Sequence, residues 1–209
     1  CVPYIKSKSK TQRQVSWTVG KVFIMLEEHL GGHDNKTHVD KGTLEWAIDK
    51  LNVTSMLDIG CGPGGMVELA DSLNLDAHGL DGDYTLSRYN NSKFTIHDFT
   101  TGPIPIVNTY DLGWSVEFVE HVHEEYIPNY AQAMQQCKFV IMSYAPVGAT
   151  GHHHVNCNTE EYWIDKMSSY GLVYLKDLTT EMRNHSTMGT KKKHRFLSRT
   201  GLLFQNEQR

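Results

Sequence analysis

Cysteine is scarce in this chain of 209 residues: Cys1, Cys61, Cys137 and Cys157 are scattered, and none forms a C-x-x-C pair. That spacing offers neither a zinc ribbon nor a disulfide framework, and it fits a reducing compartment. No apolar run approaches the roughly 18 residues of a membrane span, so no membrane partner is expected. No signal-peptide pattern is read either, and a cytoplasmic location is the expectation. Charge of one sign is not in excess. The formal net charge of −4 argues against wholesale nucleic-acid binding and leaves room only for a local basic patch. With six prolines, no low-complexity linker and no internal repeat, one domain is the economical reading, and the chain is long enough to bury a full core. Residues 1–50 read as an N-terminal tail with cap helices, and 51–209 as the main domain.

What is present is organised around Ser55 to Asp83. Met56, Leu57 and Ile59 form a short apolar run carrying Asp58, and Gly60, Gly62, Gly64 and Gly65 stop it. This reads as a buried strand entering a tight loop. Met66, Val67, Leu69, Ala70 and Leu73 then recur at helical spacing, and a second strand, Ala77 to Leu80, ends at Asp81. Strand, glycine loop, helix, strand and terminal acid make a nucleotide-binding βαβ unit. Asp81 falls 21 residues after Gly60, where a carboxylate accepts from ribose hydroxyls.

Asp58 separates two ligand classes. A dinucleotide loop presents backbone N–H groups to a pyrophosphate, so a carboxylate nearby is unwelcome; a ligand carrying an ammonium and a sulfonium has the opposite need. The run L-D-I-G-C-G-P-G, Leu57 to Gly64, resembles the first motif of class I S-adenosylmethionine-dependent methyltransferases. The resemblance implies an α/β fold: a Rossmann-like seven-stranded, mostly parallel sheet with helices on both faces and an antiparallel last strand. It also implies S-adenosyl-L-methionine as cofactor. Asp58, Gly60, Cys61, Gly62 and Gly64 would lie under the methionine part, Asp81 and Gly82 at the ribose, and Asp98 and Phe99 at the adenine. Tyr110 to Val122, YDLGWSVEFVEHV, resembles the family's segment after the fourth strand and adds Ser115, Val116 and Glu117 to the cofactor pocket.

The acceptor side is less defined. After a fifth strand, Phe139 to Tyr144, the segment Val147 to Cys157 should hang over the active-site mouth, and it carries His152, His153 and His154. Adjacent side chains diverge, so no metal is expected there. His154 and His152 are the first candidates for a base or polar anchor, because imidazole titrates near neutrality; His121 is the next. The expected reaction is methyl transfer to a small-molecule O- or N-nucleophile. A nicotinamide-dependent oxidoreductase and a non-catalytic binding module are the alternatives. Elsewhere the periodicity predicts helices over Gln14 to Leu30, Gly42 to Leu51 and Glu124 to Gln136. It also predicts a polar loop from Thr179 to His194 ending in basic residues; Phe196 to Phe204 resembles the family's last strand, often broken by a turn, which Arg199-Thr200-Gly201 could supply.

Overall fold

The computed structural model describes residues 26–89, 92–105, 108–188 and 195–209. The basic run Lys191 to His194 and most of the expected first helix, Gln14 to Met25, lie outside them; from Leu26 to Val39 the chain is turns and irregular backbone. Helix α1, Lys41–Leu51, starts where the buried Asp40 caps it by accepting from the Thr43 N–H, and stops at Asn52 in the left-handed conformation.

Seven strands follow: β1 Ser55–Ile59, β2 Asp76–Asp81, β3 Phe94–Ile96, β4 Tyr110–Ser115, β5 Cys137–Met142, β6 Leu172–Tyr174 and β7 Leu202–Asn206. They form one sheet in the order β3-β2-β1-β4-β5-β7-β6. β1 to β5 pair in parallel, and β7 runs antiparallel to both β5 and β6. The alternation of side chains across strands supplies both faces of the core. Met56, Leu112, Trp114 and Ile141 meet α1, α2 (Gly65–Ser72), α5 (Lys176–His185) and α6 (Phe196–Thr200) on one face. Leu57, Ile59, Val140 and Met142 meet α3 (Ile127–Met134) and α4 (Glu160–Ser168) on the other. No helix among the described residues is long and apolar enough to cross a membrane.

Two expectations need correcting. Thr179 to His194 does not begin as a loop, because α5 occupies Lys176–His185. Its sequence is polar, yet Thr179 and Met182 are fully buried, and the Thr179 hydroxyl accepts from the Leu203 N–H at 3.0 Å. A hydroxyl satisfied in the core hid the helical stripe. Phe196 to Phe204 does break at Gly201, as expected, but its first half is the helix α6, and only from Leu202 is it the strand β7. The expected helix over Glu124 to Gln136 starts with a 3-10 turn and becomes α-helical from Ile127, with Pro128 in its first turn.

The strand order reverses between β1, which leads to β2 and β3 on one side, and β4, which leads to the rest. Ligands of open α/β sheets bind beyond the carboxyl ends of the strands at such a switch point, and the main cavity opens there.

Candidate functional site

The glycine loop leaves β1 in a conformation that side chains resist. Gly60, Gly62 and Gly64 all have positive φ, and a Cβ on Gly60 would sit 2.3 Å from the Phe118 ring. The loop is fastened to the end of β2. Gly60 and Cys61 donate to the Leu80 carbonyl at 2.8 and 3.0 Å, and Gly62 donates to Asp81 Oδ2 at 2.7 Å. Asp81 Oδ1 accepts from the Asp83 N–H at 2.8 Å. One carboxylate therefore ties the loop to the turn after β2, and each oxygen keeps a lone pair. Burial pushes the Asp81 carboxyl up, against the pull of those two bonds. Asp58 lies behind it, 3 % exposed and registered against Gly79 and Trp114; burial, then the Asp81 charge, raise its carboxyl well above the ordinary range.

A strap from the N-terminal side, His29 to His38, runs along the cavity. The Thr37 hydroxyl accepts from the Gly65 N–H at 3.0 Å, capping α2 from outside because its own N-cap, Gly64, has no side chain to do so. His33 Nε2 meets Asp83 Oδ2 at 3.0 Å, and His29 Nε2 meets Asp98 Oδ2 at 2.9 Å. Burial raises both carboxyls, but the histidine bonds, with backbone bonds from Thr85 and Thr100, outweigh it and hold Asp83 and Asp98 below the usual range. Leu30 packs over Gly82, where a Cβ would come within 2.6 Å of it.

The loops after β4 and β5 build the opposite wall. Glu117 adopts φ 57°, rare for a side-chain-bearing residue, and donates its N–H to the Ser143 hydroxyl at 2.9 Å. The Glu120 carbonyl accepts from the Val155 and Asn156 N–H groups at 3.0 and 3.1 Å. His121 Nδ1 donates to the His152 carbonyl at 2.8 Å. A carbonyl only accepts, so the proton is on Nδ1 and the bare lone pair is on Nε2. Burial lowers the His121 pKa to about 4, which keeps the ring neutral.

Together these elements enclose a cavity of about 1030 Å³. Of the sequence-predicted residues, Gly60, Cys61, Gly62, Asp81, Gly82, Asp98, Phe99, Val116, Glu117, His121, His152 and His154 all line it. Asp58, Gly64 and Ser115 do not; they stand behind the lining. Sequence reasoning missed His29, His33, Thr37, Asp83 and Phe118. Only the polar turn after Gly31-Gly32 hinted at the strap, and nothing local pairs it with Asp83 or Asp98.

The lining suits a nucleoside that carries a cation. Asp81 and Asp98 have unspent acceptor lone pairs, Phe99 supplies an apolar ring that is 4 % exposed, and Glu117 lines the same space. Side chains in place of Gly60 or Gly82 would displace Phe118 or Leu30.

No protein-family model matches the sequence, and no curated protein matches it significantly. Solved structures do match the fold. The methyltransferase domain of bacterial CtHen1 superposes with TM-score 0.52 at 15% identity, covering 78% of this chain and 96% of its own. Magnesium protoporphyrin IX methyltransferase from Synechocystis, with S-adenosylmethionine bound, gives 0.51 at 14% identity over 78% of this chain and 74% of its own. The plantazolicin methyltransferase BpumL, in complex with S-adenosylhomocysteine, gives 0.52 at 14% identity over 79% and 80%. A sheet ordered 3-2-1-4-5-7-6 with β7 antiparallel, and its cavity at the β1/β4 switch point, gives this chain the fold of the class I S-adenosylmethionine-dependent methyltransferases.

Proposed function

We propose that the protein transfers a methyl group from S-adenosylmethionine to a small-molecule O- or N-nucleophile. The observation that carries this reading is the link between Asp81 and the glycine loop at the switch point: Gly62 N–H and Asp83 N–H fix both carboxylate oxygens with lone pairs left for adjacent hydroxyls. A nicotinamide enzyme on the dinucleotide-binding fold would have strand order 3-2-1-4-5-6. The antiparallel β7 between β5 and β6 therefore favours the methyltransferase reading.

The residues divide the work. Asp81 would hold the ribose, Asp98 and Phe99 the adenine, and Gly60 to Gly62 with Glu117 the methionine part. Asp58 stands behind the loop, where the cation of a bound ligand would favour its ionised form. When bound, the cofactor supplies an already activated methyl on a sulfonium. The protein has to align the acceptor with it and exclude water. Ligand pockets usually occupy roughly 300–1,000 Å³, so a cavity of about 1030 Å³ leaves room for an acceptor beside the cofactor. His121, His152 and His154 stand at the acceptor end, where a neutral imidazole can take a proton or hold a polar atom.

The test is incubation with radiolabelled methyl donor and a panel of hydroxyl- and amine-bearing small molecules. The reading expects label in at least one acceptor and its loss in Asp81→Ala. His152→Ala should lower turnover with cofactor affinity nearly unchanged, and full activity in that variant would remove the loop from the acceptor site.

A further inference from the structure

We propose that Glu120, His121 and His154 bind one divalent first-row transition-metal ion at the acceptor end of the cavity. One ligand atom from each lies within 4.8 Å of the other two, as a single ion requires. The three residues come from two loops that are already locked together by the Glu120 carbonyl and by His121 Nδ1.

The decisive feature is Glu120. It is fully buried, and neither carboxylate oxygen makes a hydrogen bond of good geometry among the described residues. Its neighbour is a second acid, Glu117. A buried acid side by side with a second needs either a proton between them or a cation. The imidazoles argue for the cation. His121 is held as the tautomer with a bare Nε2, the arrangement by which a carbonyl orients a metal-ligating histidine. The His154 ring packs at an angle to it, with centroids 5.0 Å apart. His154 is itself confined between Gly151, where a Cβ would strike the ring, and Cys157, whose Sγ lies 3.6 Å from Nδ1.

The three adjacent histidines do diverge, as their spacing implies: His152 packs on Gly32, His153 on His123, and only His154 turns to His121. The convergence is tertiary, between two loops. Two imidazoles and one carboxylate suit zinc, manganese, iron or cobalt better than calcium or magnesium. Three protein ligands leave positions open for water or an acceptor oxygen. The site goes beyond methyl transfer and does not depend on it.

The experiment uses Co²⁺ as the probe, because its visible d–d bands report coordination. Protein stripped with a chelator and dialysed is titrated with Co²⁺, and melting curves check that each variant is folded. The proposal expects one Co²⁺ per chain, displaced by Zn²⁺. Affinity should fall at least about tenfold, the loss that follows removal of even an outer partner of a ligand, in both His154→Ala and Glu120→Gln. His154 is on a partly exposed loop, so its variant reports even if the buried Glu120 variant does not fold. No stoichiometric Co²⁺ in the unmutated protein, or undiminished binding in folded His154→Ala, overturns the proposal. A parallel titration with S-adenosylhomocysteine keeps the two readings apart: its failure removes the methyl-transfer reading and leaves the metal result standing.

Discussion

Replacing Asp81 with Ala removes two kinds of bond at once, and the structure separates them. The carboxylate accepts backbone N–H groups from Gly62 at 2.7 Å and Asp83 at 2.8 Å. Its remaining lone pairs are those assigned to the ribose. A hydrogen bond to a charged group contributes about 1.5–3 kcal/mol. Burial outweighs the pull of those bonds on the ionised carboxylate, so the cost of the variant lies in leaving the Gly62 and Asp83 N–H groups unpaired, and a net loss of about 1–3 kcal/mol in stability is expected from that. For a chain of this size about 1 kcal/mol moves the melting temperature by about 2–4 °C. The variant should therefore melt a few degrees to roughly ten degrees lower. Losing the ribose bonds should weaken S-adenosylhomocysteine binding by about ten- to a hundredfold. Differential scanning fluorimetry and titration calorimetry read the two effects independently. A lower melting temperature with unchanged affinity would make Asp81 a loop fastener only and refute its assignment to the ribose.

Other perturbations follow from the same geometry. Gly60→Ala forces a side chain to φ near 80° and into Phe118; a cost of roughly 1–3 kcal/mol is expected, seen as a lower melting temperature together with weaker cofactor binding. Thr37→Val removes the bond that caps α2 from the strap, and a loss of about 1 kcal/mol should appear in denaturant unfolding. Asp83 and Asp98 are held below the ordinary carboxylate value of 3.8, so their contribution to stability is complete above that value and is lost as pH falls through the depressed folded-state values. Changing His29 and His33 to Asn should move the acid-unfolding midpoint to higher pH, and an unmoved midpoint would mean that these pairs do not hold the strap.

The glycine loop, its flanking strands and Asp81 were legible because each signal is local: a buried apolar run, a cluster of glycines, and an acid at the next strand end. Asp98, Phe99 and the YDLGWSVEFVEHV segment could be placed by family resemblance, and all three contribute to the cavity lining. Helix α5 was hidden because its inward face relies on Thr179, a residue that reads as polar until its hydroxyl is seen bonded to the β7 backbone. The strap was hidden for a different reason. His29 and His33 find Asp98 and Asp83 only through chain folding, and the helical period read over Gln14 to Leu30 gives way from Leu26 to turns and irregular backbone. The convergence of His154 on Glu120 and His121 is likewise a property of two loops and of neither alone.

The central claim is that this cavity is built for S-adenosylmethionine. Its most direct test is calorimetric titration of the purified protein with S-adenosylmethionine, S-adenosylhomocysteine, NADH and NADPH under one buffer condition. One molecule of the methionine-derived ligands should bind per chain, with no heat of binding from either nicotinamide. Saturable binding of NADH or NADPH, with none of S-adenosylhomocysteine, would contradict the account.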